Sequence, residues 1–273
     1  MVFTAPLLNE ALMSGSLASQ SPADQIEAIY IAYFGRAADV GGETYWLNDF
    51  KYLTSPVSQG GQGFTSTQAI VNIADSFAVQ PEATSLYSFL ATPPNIPIAN
   101  PSNPPAGVQL SVNTFLTAVY QDLFHRAPDA GGEAYWSTQI LSGAISVGAA
   151  IFDIANGAAV GSIDARVLAY KVEAADYFTS VTSAGNLGTT SPLSPAFLAA
   201  AHAAVANVFD AASLAASEGA TPDLIQPGGL PIPIASPGGS NVPADPIIAG
   251  TSDVTAPAAP LASLYASSTH FGT

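Results

Sequence analysis

Residues 29–46 read IYIAYFGRAADVGGETYW and, ninety positions on, residues 119–136 read VYQDLFHRAPDAGGEAYW. Tyr, Phe, Arg, Ala, Asp, Gly-Gly, Glu, Tyr and Trp recur in register, and the copies close on the only two tryptophans of the chain. Self-similarity at a fixed spacing marks one supersecondary unit used twice. The residues around each copy are spaced for helices. Ile26, Ile29, Tyr30, Tyr33 and Phe34 fall at i, i+3, i+4, i+7 and i+8, and Leu116, Val119, Tyr120, Leu123 and Phe124 repeat that stripe. Ser21 before Pro22 supplies a cap and a pre-organised first helical residue. A second helix carries Trp46, Phe50 and Leu53, or Trp136 and Ile140. A third carries Ile70, Ile73, Ala74 and Phe77, or Ile151, Ile154 and Ala155.

The fold class predicted is all-α: two related helical repeats, a C-terminal alanine-rich helix and an extended Pro/Gly-rich tail. Residues 1–20 form an N-terminal arm, 21–91 the first repeat, 92–109 a Pro-rich linker, 110–217 the second repeat with its trailing helices, and 218–273 the tail. One trailing helix is expected over 164–182 and an alanine-rich one over 195–217, where intrinsic propensity is high. From Thr221 onward there are nine prolines, three acidic residues and no Lys or Arg, so this stretch reads as an extended arm. The GGQG at 60–63 does not complete a dinucleotide fingerprint and reads as a loop between helices.

Composition narrows the function. Five basic residues oppose twenty acidic ones, for a formal charge of −15, and all five lie between Arg36 and Lys171. Nucleic-acid binders need a basic surface to displace counterions, so a nucleic-acid partner is excluded. No cysteine is present, which removes disulfides, thiolate metal sites and thiol nucleophiles and suits an exported bacterial protein. No run approaches the ~20 apolar residues of a transmembrane segment. The opening MVFTAPLLNEALMSGSLASQ lacks a basic n-region and carries Glu10 in its apolar stretch, so any export signal is expected elsewhere.

In each copy a helix ends near Arg36 or Arg126 and a new one starts near the glycine pair. Asp39 and Asp129 are placed to cap the new helix, favoured by its dipole. Tyr45/Trp46 and Tyr135/Trp136 are expected to pack back on the aromatic stripe. Arg36 and Arg126 are expected to pair with Asp39 and Asp129, or with Glu43 and Glu133. On this reading the motif is a structural corner. Two ligand readings stand beside it: calcium held by the Asp and Glu four residues apart, without the spacing of an EF-hand loop, and a surface glycan held by Arg, carboxylates and aromatic faces. Catalytic patterns are absent: no H-E-x-x-H, G-x-S-x-G or P-loop occurs, and His125, His202 and His270 stand apart in sequence. A non-enzyme is expected.

The pattern Y-x-x-x-F-x-R-A-[AP]-D-x-G-G-x-x-Y-W resembles the signature of domain-of-unknown-function family 4214, and KVEAADYFT (171–179) and AHAAVANVFDAASLAAS (201–217) resemble segments that trail that domain. The resemblance spans roughly 21–217. It implies tandem all-helical domains of the kind found in bacterial surface-layer and type I-secreted RTX-type proteins, with lipopolysaccharide anchoring and calcium-supported assembly. The G-G-x-G-x-D repeats of a calcium-binding β-roll are missing here. The function expected is therefore a secreted, non-enzymatic structural protein that self-assembles into a surface layer or filament outside the cell. The alternative is a module binding lipopolysaccharide or another surface glycan.

Overall fold

The computed structural model describes residues 16–91, 100–101, 103–188 and 193–225. Residues 1–15 of the expected arm, 92–99 and 102 of the linker, 189–192, and 226–273 of the tail lie outside the described residues. Among the described residues the regular structure is helical: eleven α-helices, two short 3-10 turns and no strand. The helices are α1 (Pro22–Phe34), α2 (Val40–Thr54), α3 (Ser66–Ala78), α4 (Pro81–Leu86), α5 (Ser88–Ala91), α6 (Ala106–Phe124), α7 (Ala130–Ser142), α8 (Val147–Asn156), α9 (Ile163–Ala184), α10 (Pro195–Ala206) and α11 (Ala211–Leu224).

α1 starts where the sequence requires. The Ser21 side chain accepts from the Asp24 N–H, the Asp24 carboxylate accepts from the Ser21 N–H, and Pro22 is the first helical residue. The helix is buried around its whole girth from Asp24 to Phe34, not along one stripe, because α2, α3, α6, α8 and α9 surround it. α6 keeps the predicted stripe: Leu116, Val119, Tyr120, Leu123 and Phe124 are buried while Leu110, Thr114 and Thr117 face outward. The same apolar spacing thus makes a central helix once and a peripheral helix once. α6 begins at Ala106, so the last residues assigned to the linker are helical.

One continuous core runs through both motif copies. Its aromatic centre is Phe77 on α3, with Tyr30, Trp46, Phe34 and Tyr33 at centroid distances of 4.8–5.7 Å. α3 and α8 share the most extensive helix–helix contact. They approach closely because residue 148 is glycine: a Cβ there would overlap the backbone of Ala74 and Asp75. The Gly148 N–H also donates to Asp75 Oδ1 at 2.8 Å, so an otherwise orphaned donor at the start of α8 is satisfied across the contact.

The expected single helix over 195–217 is broken into a hairpin. Asp210 stops it, because its carboxylate accepts from the Ser213 N–H at 2.8 Å and so begins α11. Ser217 Oγ then donates to the Ala204 carbonyl and ties α11 to α10. α11 runs on to Leu224, so residues 218–224 are helix and not the start of the tail.

Candidate functional site

The two corners repeat one arrangement of cap, arginine and aspartate. The preceding helix ends in a left-handed residue, Gly35 at φ 59° and His125 at φ 56°. Asp39 and Asp129 cap the next helix by accepting from the Gly42 and Gly132 N–H at 2.8 Å. Between these points each arginine lies over two rings, Arg36 over Tyr30 and Phe34, Arg126 over Tyr120 and Phe124, at 5.1–5.8 Å. Its Nη1 donates to the carbonyl of the following alanine, Ala37 or Ala127, at 3.0 Å. The Y-x-x-x-F-x-R-A spacing is therefore a cation–π clamp closed by a backbone hydrogen bond.

The principal partner of each arginine lies outside the motif, and of the expected pairs Arg36–Asp39 is present as a longer contact. Arg36 makes a bidentate pair with Glu82, with Nε and Nη2 donating at 2.9 and 2.8 Å. Arg126 pairs in the same way with Asp164 at 2.9 and 2.6 Å. Asp39 stands farther from Arg36, at 3.8 Å. Among the described residues neither Glu43 nor Glu133 pairs with an arginine, nor does Asp129 come within ion-pair distance of one. The reason is directional: Asp39 and Asp129 turn toward the helix N–H groups they cap, while Glu82 and Asp164 open α4 and α9 directly opposite the guanidinium. Each is the second residue of its helix, and the planar fork of arginine meets each squarely. These acids stand 46 and 38 residues beyond their arginines. The shortfall lies in the loop that reads SPVSQGGQGFTST in the first copy and SGAIS in the second. With that deletion allowed for, Asp164 aligns with Glu82.

The surroundings of the two corners differ. The side chain of Arg36 is 5% exposed and that of Arg126 is 43% exposed. Trp46 is buried against Phe77, whereas Trp136 is half-buried and donates its indole N–H to Tyr120 Oη at 3.1 Å. Tyr45 packs partly on the core, but Tyr135 faces outward, contrary to the expected packing. Burial works against the charge of Arg36, yet Glu82 outweighs it and holds the guanidinium above its ordinary pKa. At Arg126 the hydrogen bond to Asp164 acts in the same direction.

The first corner also leans on groups that the motif does not contain. Glu27, fully buried, accepts from the Ala38 N–H at 2.8 Å and from Thr179 Oγ1 at 2.7 Å, and Thr179 Oγ1 is also 3.1 Å from the Ala38 carbonyl. Burial raises the Glu27 pKa to about 7. Nearby, burial and the neighbouring Glu27 and Asp24 push the Asp176 pKa up. Lys171 is buried with Asp122 as its charge partner, and burial lowers its pKa to about 8. In the second copy Thr117 and Pro128 stand where Glu27 and Ala38 stand in the first, so both ends of the buried hydrogen bond are lost together.

His125 stacks on Phe209 at 4.9 Å, His202 lies on α10, and His270 is outside the described residues. Among the described residues no three His, Cys, Asp or Glu side chains are placed to hold a metal ion. No helix there is long and apolar enough to cross a membrane. A cavity of about 10 Å³ is lined by Leu17, Gln20, Ala155 and Leu168 among others, about the space of one water.

Residues 103–157 match the family model of a domain of unknown function (DUF4214). The match takes in the second corner from α6 to the end of α8 and leaves the first outside, so it supports the expected resemblance over one copy. No curated protein and no solved structure is detectably similar to the chain.

Proposed function

We propose that the chain is a non-enzymatic structural protein that is secreted and assembles with copies of itself outside a bacterial cell, as a surface layer or a filament. The observation that carries this reading is the use made of the motif's polar groups. Each arginine donates to an acid and to a backbone carbonyl and lies over two rings, and each capping aspartate holds its helix. Those contacts spend the motif on holding three helices at one angle, as a scaffold requires. The absence of cysteine and the scarcity of Lys and Arg suit export.

On the same reading the chain is a tandem of one helical unit, α1–α4 and α6–α9, with α10 and α11 appended. The match over 103–157 covers one unit. The support for the other is the equivalent left-handed cap, Asp cap and Arg–acid pair around residues 35–82.

Light scattering and electron microscopy of the full chain, across concentration and with and without calcium, test the proposal. Ordered assemblies that vanish when residues 226–273 are replaced by a Gly/Ser segment of equal length are the expected result. A chain that stays monodisperse under all these conditions overturns it.

The glycan reading keeps one favourable observation, Tyr135 at 56% exposure on the same corner as Arg126. Binding of purified lipopolysaccharide that falls on Tyr135→Ala, with helicity unchanged, would support it.

A further inference from the structure

The first corner is closed by backbone carbonyls from late in the chain. The Ala37 N–H donates to the Ala201 carbonyl at 3.1 Å and the Gly41 N–H to the Gly188 carbonyl at 2.9 Å. The matching donors of the second corner, Ala127 and Gly131, have no acceptor among the described residues and are exposed. Eight large apolar side chains are exposed among the described residues, and four belong to this region. Tyr135 is in the motif, Phe209 stacks on His125, and Val160 and Ile163 lie just before Asp164, the partner of Arg126. Exposed apolar side chains around a corner whose N–H donors have no acceptor among the described residues suit an interaction surface. The first corner shows what such donors take: carbonyl oxygens.

We propose that the second corner is the seat of the chain's own segment 226–273, delivered by a neighbouring copy. This rests on the self-assembly reading above. Three observations select the occupant. A helix like α9 seats on the first corner through the Glu27–Ala38–Thr179 hydrogen bonds, and Thr117 and Pro128 remove both motif-side ends of that lock, so the second corner suits a different visitor. Segment 226–273 has eight prolines, which carry carbonyls and no N–H, interleaved with Leu230, Ile232, Ile234, Ile247 and Ile248. Proline-rich segments dock on aromatic surfaces that supply donors, and the second corner supplies Tyr135, Phe209, His125 and two N–H groups with no acceptor among the described residues. Charge decides the rest. At a formal −15, two copies repel face to face, whereas this segment carries only Asp245 and Asp253.

Residue-resolved amide hydrogen exchange on the full chain tests the seat, with light scattering recorded on the same samples. At assembling concentration Ala127 and Gly131 should be protected about tenfold or more relative to the dilute chain. That protection should disappear when 226–273 is replaced by Gly/Ser of equal length, and in the surface variant Tyr135→Ser/Ile163→Ser. Assemblies that form while both amides stay unprotected overturn the seat and leave the assembly reading standing. Protection that depends on the segment but not on concentration, in a chain that never assembles, overturns delivery by a neighbour and the assembly reading with it.

Discussion

Residues 35–46 and 125–136 share sequence, caps, cation–π clamps and arginine partners, yet one corner is the middle of the molecule and the other is its edge. The difference lies in what packs on them. Thr179 of α9, Ala201 of α10 and Gly188 between them bond to the first corner, whereas the Ala127 and Gly131 N–H groups of the second have no acceptor among the described residues. The motif therefore specifies the turn between two helices, and its surroundings decide whether that turn is core or surface.

The largest contrast should come from the arginines. Arg36→Ala empties a buried position and leaves the half-buried Glu82 without its partner, and should cost about 2–3 kcal/mol. Arg126→Ala breaks an exposed pair and should cost about 1 kcal/mol or less. Urea denaturation of the two variants measures this, and equal losses would break the comparison.

Glu27 gives the next effect. Its pKa in the folded protein is raised to about 7, so between pH ~4.5 and ~7 the folded state holds a proton that the unfolded chain has released. Stability should fall as pH rises through that window, by on the order of 3 kcal/mol from this group, and level off above it. Burial raises Asp176 as well, and its contribution has the same sign. Glu27→Gln keeps an acceptor for the Ala38 N–H and should flatten the part of the slope due to Glu27. An unchanged slope in denaturation curves recorded from pH 4.5 to 7.5 would show that Glu27 is not the titrating group.

The second glycine of each pair separates the corners more finely. A Cβ on Gly42 would overlap Tyr30 Oη, whereas one on Gly132 would lie 3.5 Å from Tyr120 Oη, an ordinary contact. Gly42→Ala should cost about 1–3 kcal/mol from overpacking. Gly132→Ala, inside a helix, should be neutral or stabilising by about 0.5–1 kcal/mol. Thermal melts of both variants check the sign.

The smallest effect is expected at the end of α6. His125→Gly relieves a left-handed non-glycine residue, worth about 1–2 kcal/mol, and loses the stack on Phe209, so the net change in melting temperature should be slight. Gly35→His should be clearly destabilising, because a Cβ there meets the Asp122 carboxylate at 3.0 Å.

Much of this was legible in the sequence because it is local. The Ser21 cap, the Asp39 and Asp129 caps and the α6 stripe depend on neighbours a few residues away. The full burial of α1 was not legible, because its extra contacts come from α6, α8 and α9, far along the chain. Glu82 and Asp164 are hidden for a narrower reason: the motif holds nearer acids, and these partners lie beyond a loop whose length changes between copies. The break at Asn207–Asp210 shows alanine propensity giving way to a capping aspartate. The burial of Glu27 depends on α9, which supplies Thr179 from 152 residues away.

The most direct test is residue-resolved amide exchange on the full chain at high dilution, comparing Ala37 and Gly41 with Ala127 and Gly131. Slow exchange of the first pair, near the rate of the core helices, with far faster exchange of the second, is the predicted result. Similar rates for the two pairs would contradict the division into a closed corner and an open one.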